Sequence, residues 1–166
     1  MDDSVRRSHL HFDSYFAIAT QMEDVKENLG PCPVGRGLAR VGDRWSMMVL
    51  RDVDRGFSRF DQIRASLGIA PNILSSRLAA LTAAGLLEKR CYSERPPRHD
   101  YVLTEAGRDF MPILAAIGAW GAKHNGAGAI SRLVDAATGL DVEAVVIDKV
   151  SGAPIGTRPL RIVVPG

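Results

Sequence analysis

Apolar residues recur along the first part of the chain with the spacing of a helical face. Phe12, Tyr15, Phe16, Ala19, Met22, Val25 and Leu29 predict one helix, stopped by Gly30-Pro31. A second helix is expected from Pro33 with Val34, Leu38 and Val41. The run "RWSMMVLRDV" (44–53) predicts a buried helix carrying Trp45, Met48, Val49 and Val53, ended by Gly56. In "SRFDQIRASL" (58–67), Phe60, Ile63 and Leu67 share a face, and Ser58 is placed to cap with Asp61 three residues on. "GIAP" turns the chain, and Pro71 suits a first helical position. The helix that follows puts Ile73, Leu74, Leu78 and Leu81 inward and ends at Gly85. Its other surface is small and polar, with Asn72, Ser75, Ser76 and Arg77.

The period then changes. "LLEKRCY" (86–92) and "YVLTE" (101–105) predict two strands around "YSERPPRHDY". That joint holds Arg95, Arg98 and His99, with Pro96-Pro97 stiffening it in extended geometry. Thr104 is placed to cap a helix running to about Lys123. Phe110, Ile113, Leu114, Ile117 and Trp120 form its apolar stripe, and Pro112 should kink or divide it. This stripe and that of Phe12 and Phe16 are read as a dimer interface, the alternative being packing within one chain. Beyond it, "LVDAATGLDV" and "VIDKVSGAPI" repeat one template, with Asp135 and Asp148 opening turns that Gly139 and Gly152 close. Strands near 130–135, 142–148, 153–156 and 160–164 would form a small antiparallel meander. Docking, dimer support and a small-molecule pocket all stay open for it.

The expected fold class is thus α+β: a winged helix-turn-helix core, an extra N-terminal helix and a C-terminal antiparallel β meander. The expected domains are 1–31, 32–124 and 125–166. Composition bounds the function. The 166 residues suit one domain with extensions. Apolar runs fall far short of the roughly 20 residues that span a bilayer, and the N-terminus lacks the apolar core of a signal peptide. No membrane partner and a cytoplasmic location are therefore expected. Two cysteines make no disulfide framework. Nucleotide-binding, zinc-protease and hydrolase motifs are absent, and acids and histidines are too scattered for a catalytic dyad, so no enzyme and no cofactor are expected. His9 and His11 lack the partners a metal site needs.

Net charge changes the picture more. It is +2 in all, but −3 over residues 1–32, +5 over 33–123 and zero over 124–166. A cationic middle segment with a helix-turn-helix and a basic hairpin points to double-stranded DNA. Asn72 and Arg77 are of the types that pair with adenine and guanine edges, while Ser75 and Ser76 can donate to phosphates or bases. Arg95, Arg98 and His99 would meet backbone or minor groove. A winged-helix protein-interaction module without specific DNA binding is the alternative, and the cations on both elements weigh against it.

The stretch from "CPVGRGLARVGDRWSMMVLRDV" through "YVLTEAGRDFMPILAAIGAWGAKH" resembles the HxlR-type bacterial transcriptional regulators, winged-helix relatives of the MarR group. The matching residues include Cys32-Pro33, Gly42 to Trp45, Arg59-Phe60, Leu78, Gly85-Leu86, Pro96-Pro97-Arg98, Tyr101, Leu103-Thr104, Gly107-Arg108 and Trp120. The resemblance implies a homodimeric regulator, a repressor in this reading, on a pseudo-palindromic operator. It implies a recognition helix near 71–84 and a wing at 92–101, and it brings Arg59 among the DNA-binding candidates. Ala70 stands where the family usually has a capping Ser, a loss of about 1 kcal/mol. Ser75 and Ser76 stand where a basic or amide residue is frequent. Some family members sense oxidants through a Cys at the position of Cys32. A helix N-terminus favours its thiolate, and the alternative is a small packed hydrophobe. An oxidant or a small-molecule effector is accordingly among the expected partners.

Overall fold

The computed structural model describes residues 31–126, 128 and 130–163. The expected N-terminal helix, with Phe12 and Phe16, lies outside the described residues. The chain divides into two compact units after Gly107.

The first unit runs α1 (Pro33–Val41), α2 (Arg44–Asp54), α3 (Phe60–Leu67), α4 (Pro71–Ala83), β1 (Leu87–Glu94) and β2 (Pro97–Leu103), into the short α5 (Glu105–Asp109) that carries the boundary. Its core forms where the helical periods converge. Val49 and Leu50 of α2, Ile63 of α3, Leu74, Leu78 and Leu81 of α4, and Leu87 of β1 are at most 2% exposed. Each fully buried leucine or isoleucine side chain contributes about 1.5–3 kcal/mol. Ile73 is not part of this face and is 37% exposed, because only 74, 78 and 81 keep the i, i+4, i+7 spacing. Asp52 of α2 is fully buried, and its Oδ1 accepts from Nε (3.0 Å) and Nη2 (2.7 Å) of Arg51.

Local details depart from the sequence expectation at α3 and in the hairpin. The cap of α3 is Arg59, whose N–H donates to Oε1 of Gln62 at 3.0 Å. Ser58 and Asp61 do not form the expected box, because the Ser58 hydroxyl donates to Asp100 Oδ1 at 2.9 Å. The hairpin strands are longer than expected. The antiparallel ladder runs from Leu87↔Leu103 to Glu94↔Pro97, so the tip is only Arg95-Pro96. Pro97 can end a ladder because a first strand position need not donate.

Thr104 caps as expected. Its hydroxyl donates to Gly85 O at 2.6 Å and accepts from Gly107 N–H at 3.1 Å. This draws α5 so close to the start of β1 that a Cβ on Gly107 would lie 2.2 Å from Leu86 O.

In the second unit, Pro112 divides the expected long helix rather than kinking it: α5 stops at Asp109 and α6 (Met111–Asn125) starts with Pro112 in its first turn. Phe110 and Leu114 are half-buried, and Ile113, Ile117 and Trp120 are exposed. The tail corrects the meander. Among the described residues the strands expected over 130–164 reduce to two tight turns, each closed by one bridge, Val134↔Asp141 and Ile147↔Pro154. The turns are related residue for residue. Asp135 and Val142 bond Leu140 and Leu133, and Asp148 and Ile155 bond Ala153 and Val146 in the same way. Asp135 Oδ1 accepts from the N–H groups of Ala137 and Thr138, Asp148 Oδ1 accepts from Val150, and Gly139 and Gly152 close at φ +70°. The turn chemistry is thus as expected. Each turn is closed by its single bridge, and no ladder extends beyond it among the described residues.

Gly107→Ala should destabilise the fold by about 1–3 kcal/mol or more through forced displacement of Leu86, read as a lower urea midpoint. The Asp135 carboxyl is held below the ordinary range by the Thr138 hydroxyl and backbone N–H groups, and that of Asp148 by the Ser151 hydroxyl first. Both groups favour the turns when ionised. Turn stability should therefore be full above the ordinary carboxylate range and be lost as pH falls through the depressed values. Amide shifts of Gly139 and Gly152 followed on acidification would report it.

Candidate nucleic-acid interface

The exposed face of α4 follows from its buried one. With Leu74, Leu78 and Leu81 turned inward, Asn72, Ser75 and Ser76 stand exposed on one side. The helix starts without a side-chain cap at Ala70 and relies on Pro71 in its first turn. Amide and hydroxyl groups on a helix able to approach closely can hydrogen-bond base edges or phosphates.

Arg77 is placed differently from these three. Its Nη2 lies 2.5 Å from Oδ2 of Asp43, the residue preceding α2, and its side chain is 32% exposed. Asp43 also caps α2, its Oδ1 accepting from the N–H groups of Trp45 (2.9 Å) and Ser46 (3.1 Å). At the other end of α4, Arg40 of α1 donates from Nη2 to Ala84 O at 2.6 Å, a cation on a helix C-terminus. Periodicity carries no trace of either contact.

The hairpin stands next to α4 in the same unit. A bulge at Tyr92 breaks its ladder between Cys91 and Ser93. Arg95 and Arg98 are exposed at and beside the tip, while His99 is half-buried opposite Cys91. The hairpin is tied to the start of α3. Tyr101 N–H donates to Ser58 O at 2.7 Å, and Arg59 bridges to Asp100. The Arg59 guanidinium lies 5.0 Å from the Tyr92 ring centroid and 3.7 Å from Asp100 Oδ1, a cation–π arrangement that leaves it 56% exposed. The sequence pattern marks neither Tyr92 nor Asp100 as a functional residue. An aromatic residue and an acid on either side of a basic tip were the available signal.

Cys32 is exposed at the N-cap of α1, where its Sγ accepts from Gly35 N–H at 3.4 Å. It is not the packed hydrophobe that was its alternative. Cys91 is also exposed, its thiol donating to Ser93 O at 3.2 Å. No helix among the described residues is long and apolar enough to cross a membrane.

Two helices joined at Gly68, the second with a polar outer face, and an antiparallel hairpin following at once define a winged helix-turn-helix domain. The chain belongs to the HxlR-like helix-turn-helix family, whose model matches residues 40–128. It is 44% identical over 91 residues to Rv3095 of Mycobacterium tuberculosis, named an HTH-type transcriptional regulator; the match covers 55% of this chain and 58% of that one. It therefore spans little more than half the length of this curated relative. The crystal structure of PA1607, described as a transcription factor candidate, superposes with a TM-score of 0.72 at 34% identity, covering 80% of this chain and 94% of that one. The reduced form of the redox regulator HypR superposes with a TM-score of 0.53 at 29% identity, covering 57% of this chain and 94% of that one.

Proposed function

We propose that this chain is a bacterial DNA-binding transcriptional regulator, acting as a homodimer on a pseudo-palindromic operator and repressing by occupying it. The observation that carries the reading is the pairing of two exposed surfaces in one unit. Asn72, Ser75 and Ser76 of α4 offer base-reading chemistry, and Arg95 and Arg98 of the wing offer cations for the phosphate backbone. Arg59, stacked on Tyr92, and half-buried His99 would add backbone contacts at the foot of the wing. The names of its relatives, HTH-type transcriptional regulators, support the same reading.

Dimerisation is the natural use of α6. Ile113, Ile117 and Trp120 are 51%, 47% and 62% exposed, an apolar row too costly to leave in water. Phe110, Leu114 and the N-terminal Phe12 and Phe16 complete the proposed interface. A two-fold dimer would present two copies of α4 to the two half-sites of such an operator.

A second reading concerns control. The exposed Cys32 thiol at a helix N-terminus has the access that oxidation requires. HypR, a redox regulator by its name, shares the fold. Cys32 is the proposed sensor of an oxidant or electrophile.

Arg98→Ala should weaken binding to every duplex alike and lower the slope of log K against log salt by about 0.9, one phosphate contact. Titrations at several salt concentrations would check it. If the unsubstituted protein selects no sequence from a randomised duplex library, the regulator reading falls and the protein-interaction alternative gains. Cys32→Ser should abolish the change in duplex affinity that hydrogen peroxide produces in the unsubstituted protein; an identical response in both would reject the sensor.

A further inference from the structure

We propose that Arg77 is a positioning residue, which fixes the rotation and height of α4 through Asp43, and not a reader of base edges. The inference rests on the regulator reading and assigns the residues within its site.

A guanidinium that reads guanine must present two donors together to the groove. In Arg77, Nη2 is taken by Asp43 at 2.5 Å, and Nε is buried with no hydrogen-bond partner among the described residues. The side chain is turned toward the protein. Leu78, the next residue, is 1% exposed. Rolling the helix to bring Arg77 outward would lift Leu74, Leu78 and Leu81 from the core.

The partner of Arg77 is itself fixed. Asp43 uses Oδ1 to cap α2 and Oδ2 to hold Arg77, so one carboxylate joins the first turn of α2 to the middle of α4. Three residues earlier, Arg40 holds the C-terminal end of α4 at Ala84. Gly42 makes the turn between them at φ +83°, and a Cβ there would meet Ser46 Oγ at 3.2 Å. The segment from Arg40 to Asp43 is thus a clamp on α4 with two jaws of opposite charge. Base readout demands placement within about 0.5 Å, and the clamp supplies it. Readout itself then falls to Asn72, Ser75 and Ser76.

The test uses the full chain and the duplex it selects from a randomised library. Asp43→Asn keeps an oxygen for the α2 cap and removes the charge that holds Arg77. Arg77→Lys keeps a cation and Arg77→Ala removes it. Circular dichroism confirms that each variant is folded at the assay temperature. Asp43→Asn and Arg77→Ala should each weaken the selected duplex about tenfold, and the double variant should lose no more than either alone. Arg77→Lys should recover part of the loss. Re-selection from the library should return the same base preference with every folded variant. If Arg77→Ala instead relaxes the preference at one base pair while Asp43→Asn leaves it intact, Arg77 reads a base and the inference is wrong. Should Arg77→Ala not fold, the Asp43→Asn selection alone decides: an unchanged preference with weakened affinity supports the clamp, and unchanged affinity overturns it. If the unsubstituted chain selects nothing, the regulator reading fails and this assignment fails with it.

Discussion

The winged domain depends on one constraint, the burial of Leu74, Leu78 and Leu81 where α4 packs on α2, whose Val49 and Leu50 are buried with them. A helix has a single rotational setting that hides positions 74, 78 and 81 together. That setting leaves Asn72, Ser75 and Ser76 outside and brings Arg77 within reach of Asp43. The same burial seats Leu87 as α4 ends, so the hairpin starts from a fixed point beside the exposed face. Ser58, Arg59 and Asp100 then fix its foot from the other side. Apolar packing chooses the arrangement, and polar contacts remove the freedom that is left.

What the sequence revealed follows from this division. The helices between Pro33 and Ala83 were legible because their stripes keep a period near 3.6, and the wing because two apolar runs flank a basic tip. Ile73 reads as inward by its apolar character, yet it lies one residue outside the buried stripe. Arg77 is of a type that pairs with base edges and lies on the helix that suits the task, and the sequence holds no sign of its contact with Asp43. Asp43, thirty-four positions earlier, leaves no periodic signal, and neither does the reach of Arg40 to Ala84. The tail erred in the opposite direction. Valine and isoleucine suggested strands, and the Asp and Gly positions located the turns correctly. Among the described residues each turn keeps one bridge and no more, so β-branched content alone overstates the pairing.

The two units use their apolar residues differently. Among the described residues of the first, most of the large ones are buried or half-buried. In the second, Ile113, Ile117 and Trp120 of α6 and several tail residues, including Val150 at 97%, stand exposed. The first unit is organised around its own core. The second carries exposed apolar side chains among its described residues, chemistry in keeping with the proposed assembly surface.

The bulge at Tyr92 has a consequence for how such a protein behaves at high concentration. A two-stranded hairpin has two open edges, and an open edge can recruit a strand from another molecule. One edge, along β2, is engaged by the Ser58–Arg59 segment. The other, along β1, is interrupted at Tyr92 and carries exposed Lys89 and Arg90. An incoming copy would meet a broken register. The irregularity at Tyr92, beside which Arg59 stacks, thereby also works against pairing of one wing with another.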